Sequence, residues 1–272
     1  MTGHIAALYR HPIKGFTPQK VASAYLSSGA AFPGDRLLAV EDGPSGFDPQ
    51  SPVWITKQRF AVLAKIAEVA RACTHYDEAS GALSAHAPGA TPFEGTLADE
   101  AGQAAFTAWL SALLGDAASG PLRMVASGDH RFLDHPAGHV SIVNLASLRD
   151  FAGRLGASVD PLRFRANLYV EGWPAWAEND WKGRELQLGQ ARATVFAPIT
   201  RCSAPDVDPA TARRDIAVTA RLHEFYGHLL CGIYVQVSTG GEIKEGDVAA
   251  LLPLAGEGVG RDPTDQGPSQ PL

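Results

Sequence analysis

Cys202 stands between Arg201 and Ser203, at the end of the apolar run "ARATVFAP", and a turn built from Asp and Pro follows at once in "ITRCSAPDVDP". A thiolate at such a strand end is a nucleophile or a soft metal ligand, and an adjacent arginine favours the ionised form. The other two cysteines, Cys73 in "ACTHYDEASGALSAHA" and Cys231 in "HLLCGIYV", read as small buried hydrophobes. A nucleophile would need a histidine base, and His223 and His228 lie downstream in no established pattern. His130, His135 and His139 of "DHRFLDHPAGH" have spacing that could ligate zinc, yet they match no known motif. A polar loop with solvated histidines is the simpler reading.

The cations say more. Lys14, Arg36, Lys57, Arg59, Arg163, Arg165 and Arg201 mostly sit at strand ends or beside turns, in a chain whose formal net charge is -6. Each alone reads as solvated surface charge. In "RFRANLYVEG", however, a strand would put Arg163 and Arg165 on one face and Phe164 on the other. A guanidinium fork matches phosphate, or the edge of a pyranopterin ring, with two parallel hydrogen bonds. A cationic pocket with one soft thiolate implies an anionic, metal-bearing ligand.

The elements that must position these residues follow from composition and periodicity. The 272 residues allow one large domain or two small ones, and 28 Gly with 19 Pro favour short strands and turns. The first part reads as strands, with a short helical turn carrying Phe60, Leu63 and Ile66, then a hairpin turning at Glu78 to Gly81. Phe106, Trp109, Leu110, Leu113 and Leu114 form a helical stripe stopped by Gly115. A domain boundary is placed beyond it, giving units 1–118 and 119–255. In the second unit "HVSIVN", "RFRANLYVEG" and "ELQLGQARATVFAP" read as strands. Leu148, Phe151, Ala152 and Leu155 read as one helix, Val218, Leu222, Phe225 and Tyr226 as another, and "CGIYVQVSTGGEIKEGDVAALLP" as a closing hairpin. Residues 256–272 have almost no apolar side chains and are expected to be disordered. The acidic balance argues against nucleic acid or an anionic membrane as partner. With no signal peptide, no spanning segment and no disulfide framework, a cytoplasmic location is expected.

The ordered set "HPIKG", "GDRLLAV", "NLASL", "RFRANLYVEG", "AENDWKGRELQLG", "TRCSAPDVDP" and "CGIYVQVSTGGEIKEGD" resembles the MOSC domain proteins over nearly the whole chain. That family is named after the C-terminal domain of molybdenum cofactor sulfurases and includes the amidoxime-reducing component and bacterial reductases of N-hydroxylated compounds. The resemblance implies a mainly β fold with flanking helices, in which a MOSC β-barrel packs on a smaller N-terminal β-barrel-like domain. It implies a molybdenum cofactor (Mo-molybdopterin) in the cleft between them, with Cys202 as the metal's protein ligand and the catalytic position. Lys14 and Arg36 would hold the pterin phosphate, while Asn144, Ser147, Arg165, Asn167, Thr200, Arg201 and Tyr234 would line the rest. It implies reduction of N–O bonds in small N-hydroxylated compounds or N-oxides, with electrons from a separate ferredoxin-like or cytochrome b5-like protein. The sequence departs from the family in having Gly15 where a serine is usual and "FRAN" for "FRPN". It also carries Ser-Ala-Pro-Asp after Cys202, and the insert "HRFLDHPAGH" is longer and more polar. Three other readings stay open: a carrier of molybdenum cofactor or its sulfur without redox turnover, a cysteine hydrolase, and a non-enzymatic interaction module. Related MOSC domains also occur fused to pyridoxal-phosphate desulfurases.

Overall fold

A computed structural model describes residues 1–137 and 140–254. In chain order the strands of the first half are β1 (Thr2–Arg10), β2 (Gln19–Val21), β3 (Ser23–Leu26), β4 (Leu38–Asp42), β5 (Cys73–Tyr76), β6 (Ala82–His86), β7 (Phe93–Thr96) and β8 (Leu122–Ala126). The second half adds β9 (Val140–Asn144), β10 (Leu168–Glu171), β11 (Glu185–Leu188), β12 (Ala191–Thr200), β13 (Leu230–Thr239), β14 (Gly241–Lys244) and β15 (Val248–Leu251). Three α-helices accompany them: α1 (Glu100–Leu114), α2 (Leu145–Leu155) and α3 (Val218–Tyr226).

Seven strands close a barrel in the order β1-β10-β9-β13-β12-β11-β15 and back to β1, and β2 hangs on the side of β1. Period-two patterning fills its interior. Ala191, Ala193 and Val195 of β12 and Ile233, Val235 and Val237 of β13 point inward, against Ile5, Leu8, Ile142, Leu168 and Val170. Strand β9, "VSIVN", is buried on both faces: Val140 and Ile142 face the barrel, while Val143 faces the helices with Leu148, Phe151 and Leu222. A separate core joins Phe106 and Leu110 of α1 to Val40, Leu83 and Met124. The expectation of a mainly β protein, with a barrel and flanking helices, therefore holds.

Two expectations need correction. Residues 161–165 do not continue a strand: Pro161–Phe164 form a 3-10 turn, and the strand begins only at Leu168. The cause is a helix-start signal, with Pro161 in its first turn and the Asp160 carboxylate accepting from the Leu162 N–H at 2.8 Å. Arg163 and Arg165 consequently share no strand face. The supposed closing hairpin is three strands that pair elsewhere: β13 between β9 and β12, β14 with β3, and β15 between β1 and β11. Strand β14 begins at Gly241 packed on the start of β12, where a Cβ would lie 2.6 Å from the Gln190 carbonyl carbon. The chain is crossing β12's start rather than folding back on β13. Phe60, Leu63 and Ile66 are buried as a stripe requires, but the 3-10 turns flank them at Lys57–Arg59 and Ala67–Arg71. The tail 256–272 and His139 lie outside the described residues.

Candidate functional site

Strand β12 ends at Thr200, and the chain leaves the barrel carrying Arg201 and Cys202. Arg201 is anchored first. Its Nε donates to the Cys231 carbonyl at 2.8 Å and its Nη1 to the Phe164 carbonyl at 2.7 Å, with the guanidinium 5.2 Å from the Phe164 ring centroid. Gly232 makes room for this: at φ +79 a Cβ would meet the Ile142 carbonyl oxygen at 2.4 Å and Arg201 Nη2 at 3.2 Å. Cys202 itself is half-buried and opens into a cavity of about 340 Å³.

Seven expected residues line that cavity together: Arg36, Arg165, Asn167, Thr200, Arg201, Cys202 and Tyr234. Lys14 lies in a narrower recess of about 30 Å³ that shares Arg36, Arg165 and Cys202 with the main cavity. Arg36 and Arg165 both adopt left-handed backbone, at φ 50 and φ 53, a strained state for residues with a Cβ. Asn167 Oδ1 accepts from the Ser141 N–H at 3.0 Å and Oγ at 2.9 Å, and its side-chain Nδ2 donates to the Tyr9 carbonyl at 3.2 Å.

Asn144 and Ser147 stand apart. The Asn144 amide donates to the Pro174 carbonyl and to Glu178 Oε2, both at 2.8 Å, while Ser147 Oγ donates to Glu178 Oε1 at 2.8 Å. Asn144 also caps α2, accepting from the Ala146 N–H at 3.0 Å. Their donors are spent on a buried carboxylate, whose pKa burial pushes up against the pull of both partners.

Three acidic or basic groups of the cleft lie outside the cofactor-binding set that the resemblance implies. Asp35 is fully buried, accepts from the His11 N–H at 2.6 Å, and pairs with Arg36. Burial is the strongest single influence and opposes its charge, but Arg36, His11 and Asn167 together outweigh it and hold the carboxyl well below the usual range. His11, whose Nδ1 lies 3.2 Å from Asp35, is pushed down to about 4 by burial and then by Arg36. Asp134, from the polar insert, accepts from Lys14 Nζ at 2.5 Å, and Phe132's carbonyl accepts from the same ammonium at 2.9 Å. Desolvation again disfavours the Asp134 charge, and Lys14, Arg36 and Lys57 reverse the sign. Lys57 hydrogen bonds the Cys202 sulfur; burial lowers its pKa, and Asp134 with Cys202 more than restores it. Both His11 and Asp35 sit inside quoted motifs, "HPIKG" and "GDRLLAV", so their position was legible although their role was not. His130 and His135 do not meet: His130 stacks with Phe47 and Phe132, His135 with Phe196 and Tyr234. No cluster of metal-binding side chains occurs among the described residues.

The loop after Cys202 is fastened at both ends. Ser203 Oγ donates to the Ala64 carbonyl at 3.1 Å, and Arg214 donates to the Ser203 and Leu63 carbonyls at 2.8 and 2.7 Å. Arg163, buried beneath it, makes two 2.8 Å bonds to Asp215 and an ion pair at 3.2 Å to Asp208. It is thus a structural clamp facing the cavity wall rather than a free cation.

The chemistry this permits is specific. Nη2 of Arg165 and Nη2 of Arg201 are buried without a hydrogen-bond partner among the described residues. Burial, then Arg36, lowers the Arg165 pKa to about 10, so it remains charged at neutral pH. Two unspent guanidinium donors, a third arginine and one accessible sulfur suit an anion that brings a soft metal.

The sequence matches known protein families. Residues 2–120 match the MOSC N-terminal beta barrel domain, and residues 129–250 match the MOSC domain. The molybdenum cofactor sulfurase of Anopheles gambiae is 35% identical over 92 residues, which are 33% of this chain and 12% of that protein. Mitochondrial amidoxime-reducing component 1 of Homo sapiens is 31% identical over 123 residues, 41% of this chain and 36% of the relative. The matches thus span well under half the length of either relative. The YUAD protein from Bacillus subtilis superimposes with TM-score 0.46 and 16% identity, covering 92% of this chain and 94% of that one. No helix among the described residues is long and apolar enough to cross a membrane. With a closed barrel that ends on a cysteine-bearing loop, and two family matches laid end to end along the sequence, the chain belongs to the MOSC domain family.

Proposed function

We propose that the cleft binds the molybdenum cofactor and that the protein is an oxidoreductase acting on N–O bonds of small N-hydroxylated compounds or N-oxides. The observation that carries this reading is the pairing of an accessible Cys202 sulfur with unspent Arg165 and Arg201 donors in one cavity. Cys202 would ligate the metal, and Arg36, Arg165 and Arg201 would hold the anionic pterin. When bound, the cofactor would supply two-electron oxygen transfer, with electrons from a separate donor protein. The chain's own part is to position and neutralise. Lys57 brings a positive charge to the wall it shares with Cys202, Asp35 fixes Arg36, and the buried, neutral His11 keeps Asp35 in place without adding charge. Tyr234, whose pKa burial raises, stays a neutral hydroxyl able to hold or pass one proton at the cavity wall.

The test is metal and pterin analysis of protein from a molybdate-replete host, for the native chain and Cys202→Ser. A hydroxyl is a poorer donor than a thiolate to a soft metal centre. The variant should therefore keep much of the pterin, lose the metal's absorption bands and fall to background in N–O reduction. Cys73→Ser and Cys231→Ser serve as controls that change stability alone. Native protein that holds metal and pterin yet reduces no N–O substrate with any donor would support a cofactor carrier instead. Absence of both metal and pterin defeats the proposal.

A further inference from the structure

The polar insert has two faces. One carries Asp134 and His135 into the cleft, and the other walls a wider groove of about 680 Å³ lined by Tyr25, Phe32, Trp54, His130 and Arg131. The two cavities share only Leu133. The groove's volume is that of a small-molecule site.

Its walls are aromatic and fixed. Tyr25 is 65% exposed and Trp54 43%, two of the few large apolar side chains left in solvent among the described residues. Trp54 is held in orientation by its indole N–H, which donates to the Leu133 carbonyl at 3.1 Å. His130 is wedged against Phe47 at 5.3 Å and Phe132 at 5.0 Å between ring centroids. Burial, then Arg131, lowers its pKa, so the imidazole presents no charge at neutral pH.

Arg131 is the groove's cation. Its Nη1 donates to the Gly128 and His130 carbonyls at 3.1 and 3.2 Å, which pins the guanidinium but neutralises nothing. No carboxylate pairs with it among the described residues, and its Nε and Nη2 are left to donate. Asp129 also lines the groove and is joined to Arg131 by no described contact. A pinned guanidinium with free donors beside two ring faces matches a flat ring bearing a carboxylate, which can stack and take the fork at once.

We propose that this groove is a second binding site, for a small planar aromatic carboxylate. It is independent of the cofactor reading, because none of the cleft's arginines reaches it.

Calorimetric titration of the full chain with naphthoate, and with naphthylmethylamine as the cationic counterpart, tests this. Naphthoate should bind saturably at one site. Arg131→Gln should weaken it by about tenfold or more, the scale of a lost hydrogen bond to a charged group. Trp54→Ala and Tyr25→Ala should each weaken it, with unchanged circular dichroism. Asp129→Asn should tighten it by removing a like charge, and Arg165→Lys should leave it unaltered. The proposal fails if the amine binds as well as the carboxylate, if Arg131→Gln binds normally, or if no saturable heat appears. It also fails if Arg165→Lys abolishes binding, which would put the probe in the cleft.

Discussion

At the scale of single residues, the site is a set of charges balanced in twos and threes. Arg165 and Arg201 each keep a buried nitrogen unspent among the described residues, and replacing Arg165 by lysine keeps the charge and loses the fork. Arg165→Lys should retain about tenfold less pterin after extensive dialysis, as expected for one charged hydrogen bond; fluorescence of the released pterin measures it, and full retention would make this arginine a bystander. His11 gives a pH signature. The unfolded chain takes a proton there near the ordinary value of 6.5, and the folded chain only near 4, so between them the unfolded state binds more protons. Stability must therefore fall as pH drops through that window, by about 3 kcal/mol at most, at about 1.4 kcal/mol per pH unit. Urea unfolding from pH 7 to pH 4 should show the slope, and His11→Gln should flatten it. Asp35 and Asp134 shift down against the effect of burial, their carboxyls held low by neighbouring charges and hydrogen bonds, so their contribution is lost only below the ordinary carboxylate range. At this scale the sequence was informative where a residue type is rare for its place. Cys202, Arg36, Arg165 and Arg201 meet as expected, because a thiol and fork-shaped cations at strand ends have few other uses. Asn144 and Ser147 turn to Glu178 instead of lining the cavity, because an amide and a hydroxyl serve a buried carboxylate as readily as a ligand.

At the scale of elements, the loop that carries Cys202 depends on one buried clamp. Arg163 is 3% exposed, while its partners Asp208 and Asp215 are 25% and 41% exposed. Water offsets part of what a fully buried pair would lose, so Arg163→Met should cost about 2 kcal/mol. The damage should be local: amide hydrogen exchange across residues 203–216 should speed up while α1 stays protected. Uniform loss of protection would mean that the clamp supports the whole barrel instead. Helices were legible because each announces itself twice, by a stripe and by its stop: Gly156 ends α2 at φ 71 and Gly227 ends α3 at φ 72. The hairpin of β5 and β6 was legible through its turn, where the Gly81 N–H donates to the Asp77 carbonyl at 2.8 Å. The 3-10 turn at Pro161–Phe164 was not, since apolar and basic residues there mimic strand alternation and the Asp160–Pro161 start signal is short.

At the scale of the whole molecule, barrel closure is the property that alternation along the chain cannot reveal. Strand β1 pairs with β10 on one side and β15 on the other, so the first ten residues complete a ring built otherwise from residues 140–251. We propose the division at residue 118 as one along the sequence rather than in the packing, since Ile5, Leu8 and Leu26 fill the barrel core while Met124 joins Phe106 and Val40. Residues 119–254 alone would leave the edges of β10 and β15 unpaired, and such edges invite aggregation. That fragment should be insoluble or lack near-ultraviolet dichroism, and supplying residues 1–26 should recover it; a soluble, cooperatively melting fragment would show that β1 is dispensable. The same closure has a consequence for biosynthesis. Between the end of β1 at Arg10 and the start of β15 at Val248 the ribosome must add about 240 residues, ~10–50 s at ordinary elongation rates. Throughout that interval Ile5 and Leu8, fully buried in the finished protein, have no complete surface to dock on. A nascent chain of this design therefore exposes β1 to holding chaperones until β15 has left the ribosome.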